Sequence, residues 1–488
     1  MKVLCTAVAL LIAAPRLTHS EPIVPELPPA VKASQIQVPE EFRAMAFMVG
    51  VNYPTSVEFD GQGLVFVAES GYAPGDPNAR PRIIITSAEG QKLEEITEGL
   101  EAPVNDLLWH SQRLYISHKG RISFLDRGRV RDLITGLPSS GDHQNNQLAV
   151  GPDGKFYFGQ GTATNSGIVG ADNHQMGWLD KHPTVHDVPP ADIRIKTQSY
   201  PSGLAGREQE RTAAFHPFGK APPATDKSAS LDGDVKANGT ILRMNSDGTG
   251  LEVYASGLRN PYGLVWTPDK KLYASENGFD DRGSRPIAND KEDIYLIKQG
   301  GFYGWPDFAS GVPVTDPRFK PEGKEQPQFL LIDHPAVEKP LWTFPKHSAI
   351  TKLEVAPAGP FGFQGNLFVA FFGHMAPLTG TVDQAHAAPR IMRIDPSTGE
   401  QETFLSHTQP KDTSATDNSL RGRLTDVRFT PSGDALFVAD FGIMTVDQAG
   451  ARAVPNTGVI WRVTRQATGT PRPVSGTRPV SVDRPNKQ

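Results

Sequence analysis

LAVGPDGKFYFGQG (Leu148–Gly161) decides the fold. Apolar residues alternate on both of its arms, and Pro152-Asp153-Gly154 supplies the tight turn between them, which together specify a β-hairpin. Working outward, the same pattern recurs five more times, at Val57–Ser70, Asp106–Gly120, Leu264–Gly278, Leu353–Gly373 and Val427–Gly442. Each copy is followed by one further short apolar run: PRIIITSAEG, GRISFLDRG, GTILRMNSDG, EDIYLIKQG, PRIMRIDPSTG and GVIWRVTRQ. A three-strand unit cannot bury both of its faces alone, so six of them must stack into a solenoid or close into a ring. Closure leaves the fewest exposed sheet edges, and the predicted fold is therefore an all-β, six-bladed β-propeller with long inserted loops.

The flanks carry no blade pattern. Residues 1–20 read as a secretory signal peptide, with Lys2, the apolar stretch Val3–Ala14 and a cleavage site at Thr18-His19-Ser20, and they imply a periplasmic or secreted protein. The stretch is too short for a stable membrane span. Residues 21–41 form a Pro-rich lead-in, the propeller occupies 42–466, and a basic Pro-rich tail, expected to be disordered, fills 467–488. Cys5, the only cysteine, lies inside the leader, which excludes disulfides and cysteine-ligated metals from the mature chain. The formal charge of −5 argues against nucleic-acid binding. Three insertions interrupt the blades, at Thr162–Asn238, Ala309–Lys339 and Met375–Ala388. The first holds His174, His182, His186 and His216; their spacing makes no helix-borne ligand set, so a covering loop is expected rather than a metal site.

Every hairpin turn lies at one end of its blade, so the start of the first arm and the end of the second share the other end. Reading those positions around the ring gives Asn105-Asp106, Asp142-His143, Arg259-Asn260, His347-Ser348 and Arg423 at the starts. The ends give Glu69-Ser70, Gln160, Glu276-Asn277-Gly278, His374 and Asp440. This collects histidine, arginine and carboxylates at one axial mouth, the expected place for a site. A carboxylate beside an imidazole suits proton abstraction, so Asp142-His143 reads either as a base with its partner or as a strand cap beside a hydrogen-bonded channel histidine. Arg259-Asn260 reads either as a fork and amide for an anionic or carbonyl-bearing ligand, or as an arginine pinned to a neighbouring carboxylate.

At these residues the chain resembles the soluble pyrroloquinoline quinone (PQQ) glucose/sorbosone dehydrogenases. The likeness is carried by LPSSGDHQNNQLAVGPDGKFYFGQG, GTILRMNSDGTG, GLRNPYGLVWTPDKKLYASENG, EDIYLIKQGGFYGWPDF and GRLTDVRFTPSGDALFVADFG, in order across Gly136–Arg465. The resemblance implies a propeller that oxidises a sugar hydroxyl or aldehyde, with PQQ and calcium at the axial mouth and a separate electron acceptor. It implies that His143 is the general base, that Asp142 raises its basicity, and that Arg259 and Asn260 hold the quinone carbonyls. Gly278 and Phe279 match the carbonyl pair on the cofactor's calcium, Asn277 stands where the family often has a glutamine, and Arg423 matches an arginine that grips a PQQ carboxylate. Glu292, Asp293 and the Tyr303 carbonyl are expected around a structural calcium. Two family cations are replaced, a lysine by Gly373-His374 and a second arginine by Thr425.

Two other functions fit a propeller. A calcium-dependent lactonase needs side chains such as Glu69, Asn105, Asp142 and Asp440 to converge on one metal. A non-catalytic sugar- or protein-binding propeller needs only the pocket.

Overall fold

The structure, a computed structural model, describes residues 35–222, 227–380, 388–408 and 422–466. The expected signal peptide, most of the lead-in and the basic tail lie outside these residues. Six antiparallel sheets of at least four strands form the blades. Their innermost strands are Pro54–Phe59, Val104–His110, Asn145–Val150, Pro261–Trp266, Ile350–Val355 and Leu424–Phe429, for blades 1 to 6. Each packs on the next, and the sixth packs on the first, so the ring closes.

The expected unit of three strands is one short. A fourth, outer strand completes every blade, as Lys92–Ile96 does in blade 1 and Gln401–His407 in blade 5. Sequence patterning misses these strands because they face solvent: Lys92, Leu93 and Glu94 are all exposed, so no alternation is imposed on them. In blade 6 the outer strand comes from the other end of the chain. Phe42–Val51 pairs with Gly458–Arg465 from Phe42↔Arg465 to Val51↔Gly458, clasping the ring shut.

Packing between blades is largely aromatic and aliphatic. Between blades 5 and 6, Phe361, Phe368, Phe404, Phe429 and Trp461 form one buried cluster with Phe42 of the closing strand. The axis itself is polar. Lys352 is fully buried there, 2.6 Å from Asp106, 3.5 Å from Asp426 and donating to the Thr55 carbonyl at 2.8 Å. Among the described residues no helix is long and apolar enough to cross a membrane.

All six inner strands share a local distortion that the bare alternation conceals. The register of the first hairpin slips at the mouth end between Pro54 and Ser56, Val104 and Asp106, Pro261 and Leu264, Ile350 and Leu353, and Leu424 and Asp426. Blade 3 slips likewise between Asn145 and Leu148. A bulge inserts a residue that the ladder does not use and re-aims its side chain. Here the residues released, Thr55, Asn105, Tyr262, Thr351 and Thr425, all line one axial cavity.

Candidate active site

Two adjoining cavities open at the mouth. One of about 330 Å³ has those bulge residues as its floor, with Tyr72, Phe372, Met375, Phe441 and Met444 as apolar walls. The other, of about 150 Å³, is walled by His143, Arg259, Asn260, Asn277, Asp280 and His347. His143, Asn277, Ala349 and Met375 belong to both. Met375 and Thr379 come from the third insertion, which thus forms part of the wall.

His143 begins blade 3 just before its inner strand. Its Nδ1 lies 2.9 Å from the Thr162 carbonyl oxygen, an acceptor only, so Nδ1 carries the hydrogen and Nε2 keeps the lone pair. Burial, followed by the nearby Arg259 and Arg282 guanidinium groups, holds the imidazole well below its ordinary range, so it is neutral at neutral pH. A glycine makes this placement feasible: a Cβ on Gly161 would sit 2.4 Å from the His143 Cβ and 2.6 Å from the Asn260 amide oxygen.

Asp142 does not serve His143 as the resemblance implies. Its carboxylate accepts from Arg282 Nη2 at 2.8 Å and from Asn173 Nδ2 at 3.0 Å. Asp142 thereby ties the blade-3 loop to the insertion, while both residues line the larger cavity. Arg259 donates through Nη2 to Asp280 at 2.9 Å and through Nε to the Asn165 carbonyl at 3.2 Å. Its Nη1 makes only a 3.5 Å contact with the Asn277 carbonyl. Although burial opposes it, Arg259, Arg282 and His347 together hold the Asp280 carboxyl far below the usual carboxylate range.

A chain of amides runs along the cavity wall. Asn146 donates to the Asn260 oxygen at 2.9 Å, Asn260 Nδ2 donates to the Asn277 oxygen at 2.7 Å, and Asn277 Nδ2 donates to Glu292 at 2.9 Å. Glu292 and Asp293 are consecutive strand residues whose side chains point to opposite faces. Asp293 meets the Tyr295 hydroxyl at 3.1 Å, while the Tyr303 hydroxyl bonds to the Lys298 amide and the Leu296 carbonyl. Burial raises the carboxyl groups of Glu276 and Asp293, aided for the first by Asp293 and for the second by Asp290 and Glu292, and among the described residues each leaves one oxygen without a hydrogen-bond partner. Gly278 and Phe279 begin the loop beside them, with the Phe279 amide bonded to Asp290.

Arg423 is fully buried behind Phe372, its guanidinium 4.9 Å from that ring. Nη1 reaches the carbonyls of Phe372, Gly373 and His374, the nearest at 3.1 Å. Among the described residues its Nε and Nη2 have no partner, and neither does His374 Nε2. Burial pushes the Arg423 guanidinium down to about 9, and among the described residues no carboxylate pairs with it. This is a buried cation short of an anion, and an anionic ligand fits it.

The four carboxylates and amides of the lactonase reading do not converge. Glu69 is held by Arg82 at 2.5 Å, and Asp440 by His407 at 3.0 Å and by Trp461 at 3.1 Å. Among the described residues no three His, Cys, Asp or Glu side chains form a metal-holding group, the insertion's histidines included. The site residues that sequence reasoning missed are Thr162, Asn165, Asp172 and Asn173 from the first insertion, and Asp280 and Arg282. The Asp280-Asp281-Arg282 run directly after the ENGF segment was the available signal.

Residues 229–441 match the family described as Glucose / Sorbosone dehydrogenase, which bears out the resemblance seen in the motifs. Quinoprotein glucose dehydrogenase B from Acinetobacter calcoaceticus is 32% identical over 179 residues, a stretch covering 36% of this chain and 29% of that relative. The holo form of the pyranose dehydrogenase PQQ domain from Coprinopsis cinerea superimposes with a TM-score of 0.54 at 15% identity, over 88% of this chain and 97% of that one. A calcium structure of the Trichoderma reesei Carbohydrate-Active Enzymes Family AA12 gives a TM-score of 0.50 at 15% identity, over 90% and 100%. At such identities these two structures show a shared fold.

Proposed function

We propose that this chain, with its glucose/sorbosone dehydrogenase segment, is an exported sugar dehydrogenase that works with PQQ and calcium. One observation carries the reading: His143, Arg259, Asn260 and Asn277 wall a single cavity at the axial mouth. PQQ, when bound, would supply the acceptor for a hydride from a sugar carbon. His143 presents a neutral imidazole whose Nε2 accepts the sugar hydroxyl proton, and the Thr162 carbonyl fixes the tautomer that makes this possible. Arg259 Nη1, with only one long bond, is the free donor for an oxygen that gains negative charge. Asn260 and Asn277 are bonded to each other and set the shape of that wall. Asp142 acts on His143 only through the loop it anchors.

The buried, uncompensated Arg423 fits a carboxylate of the cofactor. The Gly278 and Phe279 carbonyls are proposed to hold its calcium, beside the unpartnered oxygens of Glu276 and Asp293. The apolar walls and hydroxyl-lined floor of the larger cavity suit one face and one edge of a sugar ring. A second reading, a propeller that holds a sugar without oxidising it, is favoured by one feature: Phe372 stands between Arg423 and that cavity.

Reconstituting the purified protein with PQQ and Ca²⁺ tests both. The proposal expects a bound-quinone spectrum and aldose-dependent dye reduction. Sugar binding with neither signal would leave the second reading.

A further inference from the structure

The charges of the site converge on a residue outside the motifs. The Arg282 guanidinium meets three carboxylates, Asp172 at 2.6 Å, Asp142 at 2.8 Å and Asp280 at 3.0 Å. They come from three separate segments. Asp142 precedes the histidine that walls both cavities, and Asp280 carries Arg259 at 2.9 Å and His347 at 3.4 Å. Asp172 belongs to a short helix in the first insertion, where Asn173 also reaches Asp142. Among the described residues Asp142 and Asp172 have no other ion pair. Asp172 and Arg282 also line a separate cleft of about 670 Å³ between the first two insertions, while Asp142 and Asp280 line the axial cavities, so the cluster lies between the cleft and the mouth.

Three buried carboxylates repel one another, and removing their shared cation would drive them apart or force them to take up protons. The insertion would then be left with its Asn173 and backbone bonds to the blade-3 loop but no ion pair across that junction, and the blade-4 loop would lose one of the two arginines that brace it. We propose that Arg282 is a positioning residue, which sets the His143 imidazole and the Arg259 fork in register by binding the insertion and both blade loops through one guanidinium. This rests on His143 being the base. The charged groups around that imidazole are Arg259, Arg282 and Asp280, with Asp142 adjacent in the chain. After burial and Arg259, Arg282 is the third influence that disfavours protonation of His143, and without it the added negative charge shifts the imidazole toward the imidazolium.

The test compares Arg282→Met, Arg282→Lys and Asp172→Asn with the parent. The first readout is NMR titration of the His143 imidazole in cofactor-free protein, assigned with His143→Gln; the second is steady-state oxidation after PQQ loading. In Arg282→Met the imidazole should protonate at least about one pH unit higher. Its kcat should fall about 100-fold with a smaller change in KM. Arg282→Lys should restore most of the titration but little of the kcat, because a point charge cannot hold three carboxylates in a planar fork. Asp172→Asn removes negative charge, so its titration should move down while kcat falls several-fold. A folded Arg282→Met with parental titration and kcat would overturn the proposal. If that variant does not fold, parental behaviour of Asp172→Asn would overturn it instead. A parent that never oxidises sugar would defeat the assigned reaction, while the titration would still decide what Arg282 does to His143.

Discussion

His347 Nδ1 lies 3.4 Å from Asp280 Oδ1, so the carboxylate–imidazole pair in this site joins blade 5 to the end of blade 4. The consecutive Asp142 and His143 do not form one. His143 instead relies on a peptide carbonyl, which orients the ring without adding charge beside it. That suits a base that must stay neutral.

Replacing the base should therefore separate chemistry from binding. His143→Ala is expected to lower sugar oxidation by about 10²–10⁴-fold and to leave PQQ affinity nearly unchanged, read by quinone titration. Loss of both together would remove His143 from the role of base.

The neutrality of His143 also sets a pH profile. Its folded pKa lies below the ordinary value of about 6.5, so kcat/KM should stay level as pH falls through that value and decline only further into acid. A limb centred at or above 6.5 in the parent would contradict this.

Arg423 predicts an inverse relation between stability and ligand affinity. Arg423→Met removes a buried cation that no anion among the described residues compensates, so the cofactor-free protein should be as stable as the parent or more so in denaturant titrations. PQQ binding should weaken at least tenfold. A destabilised variant with full affinity would show that the guanidinium serves the fold alone.

A second histidine gives a stability signature. His118 is buried, accepts from the Glu101 amide at Nδ1, and bonds Ser123 through Nε2 at 2.7 Å; burial lowers its pKa to about 4. The unfolded chain takes up this proton near pH 6.5 and the folded one does not. Stability should thus be complete above about 6.5 and fall by up to ~1.4 kcal/mol per pH unit between there and about 4. His118→Gln should flatten that part of the curve, followed by urea unfolding at each pH.

Lys352→Met should weaken the ring; Lys352 lines neither cavity and meets the larger one only through its bond to the Thr55 carbonyl. Asp106 and Asp426 would face each other fully buried without their lysine, a loss of about 3–5 kcal/mol in unfolding free energy.

Much of the fold is legible in the chain, because a strand buried on both faces of a blade must show itself. Val65–Ala68 and Phe156–Phe158 are almost wholly apolar or small and end at obvious turns. Outer strands such as Arg129–Thr135 are under no such demand and leave no signal. The mouth is legible at His143, Arg259 and Asn260, where hairpin geometry alone places the residues together. The bulges are not, since a register slip is a backbone event with no residue signature at Thr55 or Thr351. Nor is the Arg282 cluster: Arg282 and Asp142 are 140 positions apart, and only the closed ring with its folded insertion brings them together.

The clasp between Phe42–Val51 and Gly458–Arg465 orders the life of the molecule in time. The ten-residue strand is synthesised first, yet its partner is made only with the final blade. The ring therefore cannot lock until its final blade has been made.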